Sequence, residues 1–214
     1  MDLYYWTSTS SQIIQDIEGI SSTGSAYIAS FYFDFRDVEK QDARALLSSL
    51  LIQLSNQSDS FFDILFALYK AHRPDPELPP RTPATGALLQ CFKEMLMIPE
   101  QVPIYLVMDA LDECPDTSGV PSSRGKVLDV VKELVQLQLA NLRLCVTSRP
   151  EPDIRVALEP LTSVRISLHV ESGQKQDIID YISLVVNSDG KMKMWREEER
   201  KLVIATLSAR AGGM

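Results

Sequence analysis

The sequence has little cysteine, histidine or glycine, and no long apolar run. Its three cysteines, Cys91, Cys114 and Cys145, lie far apart, form no CxxC pair and have only two histidines to join them. That excludes a disulfide scaffold or a zinc cluster and leaves buried free thiols as the expectation. No apolar stretch reaches the ~18–20 residues needed to span a bilayer. The opening MDLYYWTSTSSQ has neither a basic region nor an apolar core, so no signal peptide is expected in it. The chain is expected to be soluble and cytoplasmic, with no membrane partner. Positive charge is also short: 21 Lys and Arg stand against 29 Asp and Glu, a net −8. This disfavours an extended nucleic-acid surface but leaves room for a local basic pocket that holds one nucleotide.

What is present is an ordinary globular composition. Of 214 residues, 45% are hydrophobic and 23% charged, enough for one domain or one and a half. No repeat of 20–50 residues is visible. Residues 26–35 are aromatic and β-rich and predict a strand. Residues 41–55 place Ala45, Leu46, Leu50, Ile52 and Leu54 at broadly helical spacing, with Asp42 in the first turn. Residues 60–72 predict a second helix with Phe61, Phe62, Leu65 and Leu68 as its buried stripe. The prolines of RPDPELPPRTP forbid regular structure, and a helix is expected over about 84–97. Residues 103–109, PIYLVMD, are uniformly apolar and end in acid, as a strand buried on both faces does. A helix over 122–139, a buried strand over 142–147, a weaker strand over 163–170 and helices over 174–186 and 196–210 complete the pattern. Strands alternating with helices predict an α/β fold, three layers around a mainly parallel sheet.

In such sheets ligands sit at the carboxyl ends of the strands, so the residues after each strand carry most information. After the strand 103–108 comes Asp109-Ala110-Leu111-Asp112-Glu113. A carboxylate at the end of a buried strand is costly unless compensated. A magnesium ion bound through one or two carboxylates, water and phosphate is one compensation. Asp109 would then be the magnesium-side carboxylate, and Asp112 or Glu113 would orient and deprotonate an attacking water. The bland alternative is a capping Asp109 followed by a solvated acidic loop. After the strand 142–146 comes Thr147-Ser148-Arg149-Pro150. Arg149 can reach a phosphate in bidentate fashion, and Thr147 can donate to a phosphate or a water. Alone it is a surface turn, with Pro150 and Pro152 starting a short helix.

Taken together, VPIYLVMDALDE and LRLCVTSRP resemble the Walker B and sensor regions of NACHT-type STAND NTPases, the P-loop ATPase modules of NOD-like receptors. FYFDFRDVEKQDARALLSSLLIQL resembles the strand and helix after the family's first βα unit. DIIDYI resembles its helical segment after the last strand, and the terminal AGGM a helix that continues in the family. The resemblance covers roughly residues 11–214 and is closest to the nephrocystin 3-like N-terminal domain, abundant in fungal NLR-like proteins. It implies a P-loop NTPase-type sheet, ATP and Mg2+ as ligands, Asp109 on the metal, Asp112 and Glu113 as catalytic carboxylates, and Thr147 and Arg149 on the nucleotide. It also implies association with other NACHT-type proteins through this domain.

The family's phosphate loop, GxxxxGK[ST], is not found. Gly119 and Gly125-Lys126 are one residue too far apart, lack the hydroxyl and follow the wrong strand. Gly190-Lys191 has no partner glycine. In register, Trp6 and Thr7 stand where the lysine and hydroxyl would be, ahead of a helix with Ile13, Ile14 and Ile17. The expectation is a segment 1–10 outside the family pattern, an incomplete nucleotide-binding domain over 11–170 with its first strand and phosphate loop missing or degenerate, and a truncated helical segment over 171–214. A chain of this kind is expected to bind ATP weakly or not at all, as a fragment or a degenerate paralogue. The other reading is a non-enzymatic module that associates with intact NACHT proteins. A metal hydrolase built on Asp109, Asp112 and Glu113 would need further ligands, which His72 and His169 do not supply by spacing. Arg36 is expected to pair with Asp34 or Asp37, and Arg196–Lys201 to be a solvated helix face with i,i+4 pairs.

Overall fold

Among the described residues three parallel strands run side by side in the order of the chain. They are β1 (Tyr27–Tyr32), β2 (Ile104–Asp109) and β3 (Leu142–Val146). The computed structural model describes residues 13–73, 81–99, 101–116, 121–164 and 172–211. Within it a helix α1 covers residues 13–21. It is followed by α2 (Ala43–Ser55), α3 (Asp59–His72), α4 (Thr85–Leu96), α5 (Ser123–Gln136), α6 (Pro152–Leu158), α7 (Ser172–Ser188) and α8 (Glu197–Ala211). This is the α/β arrangement expected from the sequence, a P-loop-like parallel sheet flanked by helices. The chain divides into two units, Met1–Thr162 with the sheet and Ser163–Met214 with α7 and α8.

Register explains the burial. Tyr27, Ala29 and Phe31 pair with Ile104, Leu106 and Met108, which pair in turn with Leu142, Leu144 and Val146. Partners in a sheet share a face, and this face joins the main core with the buried sides of α2 to α6. The opposite face carries Tyr32, Val107, Asp109 and Cys145. Val107 and Asp109 are buried there, so the central strand is covered on both faces, as its uniform apolar run predicts. Phe33, just past β1, is fully buried, while Phe35 is exposed; the strand therefore ends three residues before the aromatic pattern does.

The helices start where the sequence provides caps. Asp42 is the N-cap of α2, its carboxylate accepting from Ala45 N at 2.8 Å, rather than a first-turn residue. Ser122 caps α5 through Gly125 N, and Pro152 opens α6, where its missing N–H costs nothing. Two expected core residues face outward. Ile52 is 55% exposed and Phe62 52%, because α2 buries Leu46, Leu47, Leu50, Leu51 and Leu54 and α3 turns Phe61 inward instead. The helical stripe is narrower than the run of apolar letters.

The three thiols are free. In the second unit α7 packs on α8, Lys201 Nζ pairs with Glu197 at 2.6 Å, as the i,i+4 spacing predicts, and Val186 is buried. The expected strand over 163–170 and the segment carrying Trp6 and Thr7 lie outside the described residues, apart from residues 163 and 164, which are not in a strand.

Candidate functional site

Asp109, Asp112, Glu113, Thr147 and Arg149 meet at the carboxyl ends of β2 and β3. The backbone brings them there. Thr147 N donates to Met108 O at 2.9 Å and Leu111 N to Thr147 O at 3.0 Å, so the β2–β3 pairing continues into the two loops. Between them Ala110 turns the chain with φ 55°, ψ 46°. This left-handed conformation crowds a side chain against the backbone, which is the physical reason for a small residue after Asp109. The turn delivers Leu111, fully buried, into the core and anchors the short 3-10 helix Leu111–Glu113.

The letters of DALDE therefore take separate roles. Asp109 is a buried carboxylate that accepts a short hydrogen bond at Oδ1 from Thr147 Oγ1. The same hydroxyl accepts from Ala110 N at 3.1 Å, so one Thr147 oxygen ties the strand end to the loop. Asp112 Oδ1 accepts from Arg149 N at 2.9 Å, and its Oδ2 lies 3.5 Å from Arg149 Nε. Its side chain is 11% exposed and committed to joining the two loops. Glu113 Oε2 accepts from Phe35 N at 3.3 Å. Burial raises the Glu113 carboxyl above its ordinary range, and Asp34 and Asp112 add to the rise, while the Phe35 N–H opposes it. The surroundings of Glu113 thus increase its affinity for a proton, as a general base requires.

Two residues of this cluster escape the sequence pattern. Tyr32 pairs with Asp109 in register and so points to the same face. Burial raises its phenol, reinforced by Glu113, Asp109 and Asp34. Its signal was available: it alternates with the buried Phe31 and Phe33. Arg124, in the first turn of α5, donates through Nε to Cys114 O and through Nη2 to Asp112 O, each at 2.8 Å. Its Nη1 lies 3.2 Å from Asp153. A cation at a helix N-terminus opposes the helix dipole. That misfit was the clue that Arg124 holds the 111–116 loop. Arg36 pairs with Asp34 at 3.0 Å and holds that carboxyl below its usual range, as expected.

The residues present fit the carboxylate side of a magnesium site. Asp109 is buried beside a hydroxyl at a strand end, and among the described residues no group of three His, Cys, Asp or Glu side chains is placed to cage a metal alone. Magnesium characteristically takes one or two carboxylates and completes its shell with water and phosphate.

Residues 7–149 match the family described as nephrocystin 3, N-terminal. The chain belongs to that family. The match spans the three described strands and ends at Arg149, so the DALDE turn and the TSR turn of this nephrocystin 3 N-terminal domain both lie inside it. No curated protein and no solved structure matches the chain. Among the described residues no helix is long and apolar enough to cross a membrane.

Proposed function

We propose that this nephrocystin 3 N-terminal domain is the carboxylate half of a NACHT-type ATP switch, and that this chain by itself binds ATP–Mg2+ weakly or not at all. One observation carries the reading: the buried Asp109, bridged by Thr147 to the backbone of the next loop, stands at the carboxyl end of the central described strand. Asp109 would hold magnesium, which supplies charge neutralisation at the phosphate oxygens. Glu113 takes the proton of the attacking water, Asp112 positions Arg149, and Arg149 approaches the terminal phosphate. Hydrolysis in this reading resets a cytoplasmic signalling state. The lysine and hydroxyl of a GxxxxGK[ST] loop, which neutralise phosphate and complete the magnesium shell, are absent from the sequence; hence the weak binding.

Calorimetric titration of the purified chain with ATP and Mg2+ tests this, with Asp109→Asn alongside. The expected dissociation constant is about 1 mM or weaker, with any residual magnesium-dependent heat lost in Asp109→Asn. Micromolar binding would overturn the weak-binding claim, and residual binding indifferent to Asp109→Asn would overturn the site.

A second reading, a non-enzymatic module that associates with intact NACHT proteins, draws support from β3. It is an edge strand among the described strands, and its Leu142, Leu144 and Val146 are only half-buried. Capture of an intact NACHT protein that is unchanged by Asp109→Asn and by ATP would favour this reading over the first.

A further inference from the structure

Helix α3 (Asp59–His72) presents an exposed aromatic face to solvent. Its inward side, Phe61 with Leu65 and Leu68, already packs on the core. On the outside, Asp59, Phe62, Phe66, Tyr69 and Arg73 follow one another at three- and four-residue steps and are all exposed. That spacing is the contact seam of a two-helix pair. The three rings are ordered on the surface. Phe62 and Phe66 stack at 5.7 Å with planes 14° apart, and Phe66 and Tyr69 at 6.3 Å with planes 12° apart. Lys70 Nζ sits 4.3 Å from the Phe66 ring centre, and Arg73 covers Tyr69 while its guanidinium donates to the Tyr69 hydroxyl. Rings already held in place lose little freedom when a partner covers them.

We propose that α3 is a self-association surface, on which a second copy of this chain docks its own α3 antiparallel about Phe66. Charge decides the occupant. The helix is acidic at its start, with Asp59 and Asp63 exposed, and basic at its end, with Lys70 and Arg73 exposed; the rings lie between. An isologous contact must be complementary to itself. Asp63 and Lys70 stand on either side of Phe66, so a two-fold axis near that ring sets Asp63 against the second copy's Lys70, and the reverse pair follows by symmetry. A membrane-binding helix would instead carry cations along its whole polar border; here the carboxylates at the start would be repelled. The contact is small. A helix of 14 residues is about 20 Å long, which keeps the buried area under the ~1,200 Å² of a standard interface. The dimer is therefore weak and concentration-dependent.

Sedimentation equilibrium of the full chain over a wide concentration range tests this without reference to nucleotide. The wild type is expected to move from monomer to dimer mass. Phe66→Asp is expected to stay monomeric with an unchanged far-UV circular dichroism spectrum, its site being exposed. Asp63→Lys and Lys70→Glu should each weaken self-association roughly tenfold, because each change is counted twice across the axis and turns attraction into repulsion. Mixing these two variants should restore a dimer containing one of each. A wild type that stays monomeric at every concentration overturns the proposal. So does a dimer indifferent to Phe66→Asp, or a pair of charge variants that fails to recover on mixing. A monomer that sediments with anionic lipid vesicles would overturn it too and assign the stripe to a membrane surface.

Discussion

Gln53 and Ser30 exchange two hydrogen bonds as if Gln53 were a neighbouring strand. Ser30 N donates to Gln53 Oε1 at 2.9 Å, and Gln53 Nε2 donates to Ser30 O at 2.7 Å. One helical turn later Gln57 does the same for Ile28, at 3.0 and 2.6 Å. The match is geometric: an i,i+4 step along a helix rises about 6 Å, and an i,i+2 step along a strand about 6.6 Å. Two side-chain amides, one on α2 and one just past its end, thus satisfy the outer edge of β1, which would otherwise offer unpaired backbone groups to another chain.

Replacing Gln53 by Ala should cost about 1–3 kcal/mol, the range for leaving partly buried polar groups without partners. The Gln53→Ala/Gln57→Ala pair should in addition aggregate on heating. Urea unfolding and light scattering check the two effects. Unchanged stability in both variants would show that water replaces the amides without loss.

The Thr147 hydroxyl serves Asp109 and Ala110 N at once. Thr147→Val keeps the shape and removes both bonds, with an expected loss of about 2–3 kcal/mol. Thr147→Ser should lose far less. A Val variant as stable as Ser would deny the bridge its role in holding the turn.

The left-handed turn at Ala110 predicts opposite signs for two substitutions. Ala110→Gly should stabilise by about 0.5–1 kcal/mol, since glycine adopts this conformation without steric cost. Ala110→Val should destabilise by more than about 1 kcal/mol, as a β-branched residue is least tolerant of positive φ. Denaturant midpoints of the two variants decide it.

Glu113 makes a prediction in pH. Its native pKa lies above the ordinary 4.5. Between those values the native state holds more proton than the unfolded state, so Glu113 lowers stability as pH rises through that window. Glu113→Gln keeps an acceptor for Phe35 N and removes the titration. It should be more stable than wild type at neutral pH, and the difference should close as pH falls toward 4.5. Parallel pH profiles would show that the carboxyl is not desolvated.

Burial pushes the Cys91 thiol up to about 11 and the Cys114 thiol up to about 12. At pH ~8 a thiolate fraction of about a thousandth or less follows. A disulfide reagent should leave both unreacted in the native protein and titrate all three cysteines in denaturant. Fast native reaction at Cys91 or Cys114 would contradict their burial.

Much of this was legible in the residues. PIYLVMD showed its strand because a strand covered on two faces needs apolar residues at every position; LRLCVT also forms a strand, but the burial expected for it is not found, since β3 is half-buried with Arg143 exposed, at the edge of the described strands. The placement of Asp109, Asp112, Glu113, Thr147 and Arg149 at strand ends followed from chain order, since parallel strands all finish at the same end of a sheet. The roles within the cluster did not. Asp112 and Glu113 are neighbours with the same kind of side chain, yet one is tied to Arg149 and the other to Phe35 N, and only three-dimensional placement separates them. Phe61 and Phe62 were likewise equal as letters, and the rotation of α3 on its core chose which to bury.

The strands around 27–32, 104–109 and 142–146, roughly where α2, α5 and α6 begin, and the family are all written locally. They depend on apolar pattern, capping chemistry at Asp42, Ser122 and Pro152, and motif spacing. The pairing of Gln53 with β1, the reach of Arg124 to the Asp112 carbonyl, the face shared by Tyr32 and Asp109, and the exposed rings of α3 exist only once the chain is folded. Each of these joins or exposes groups by the packing of separate elements, and packing depends on the rotation and register of whole elements, which no short stretch of sequence encodes.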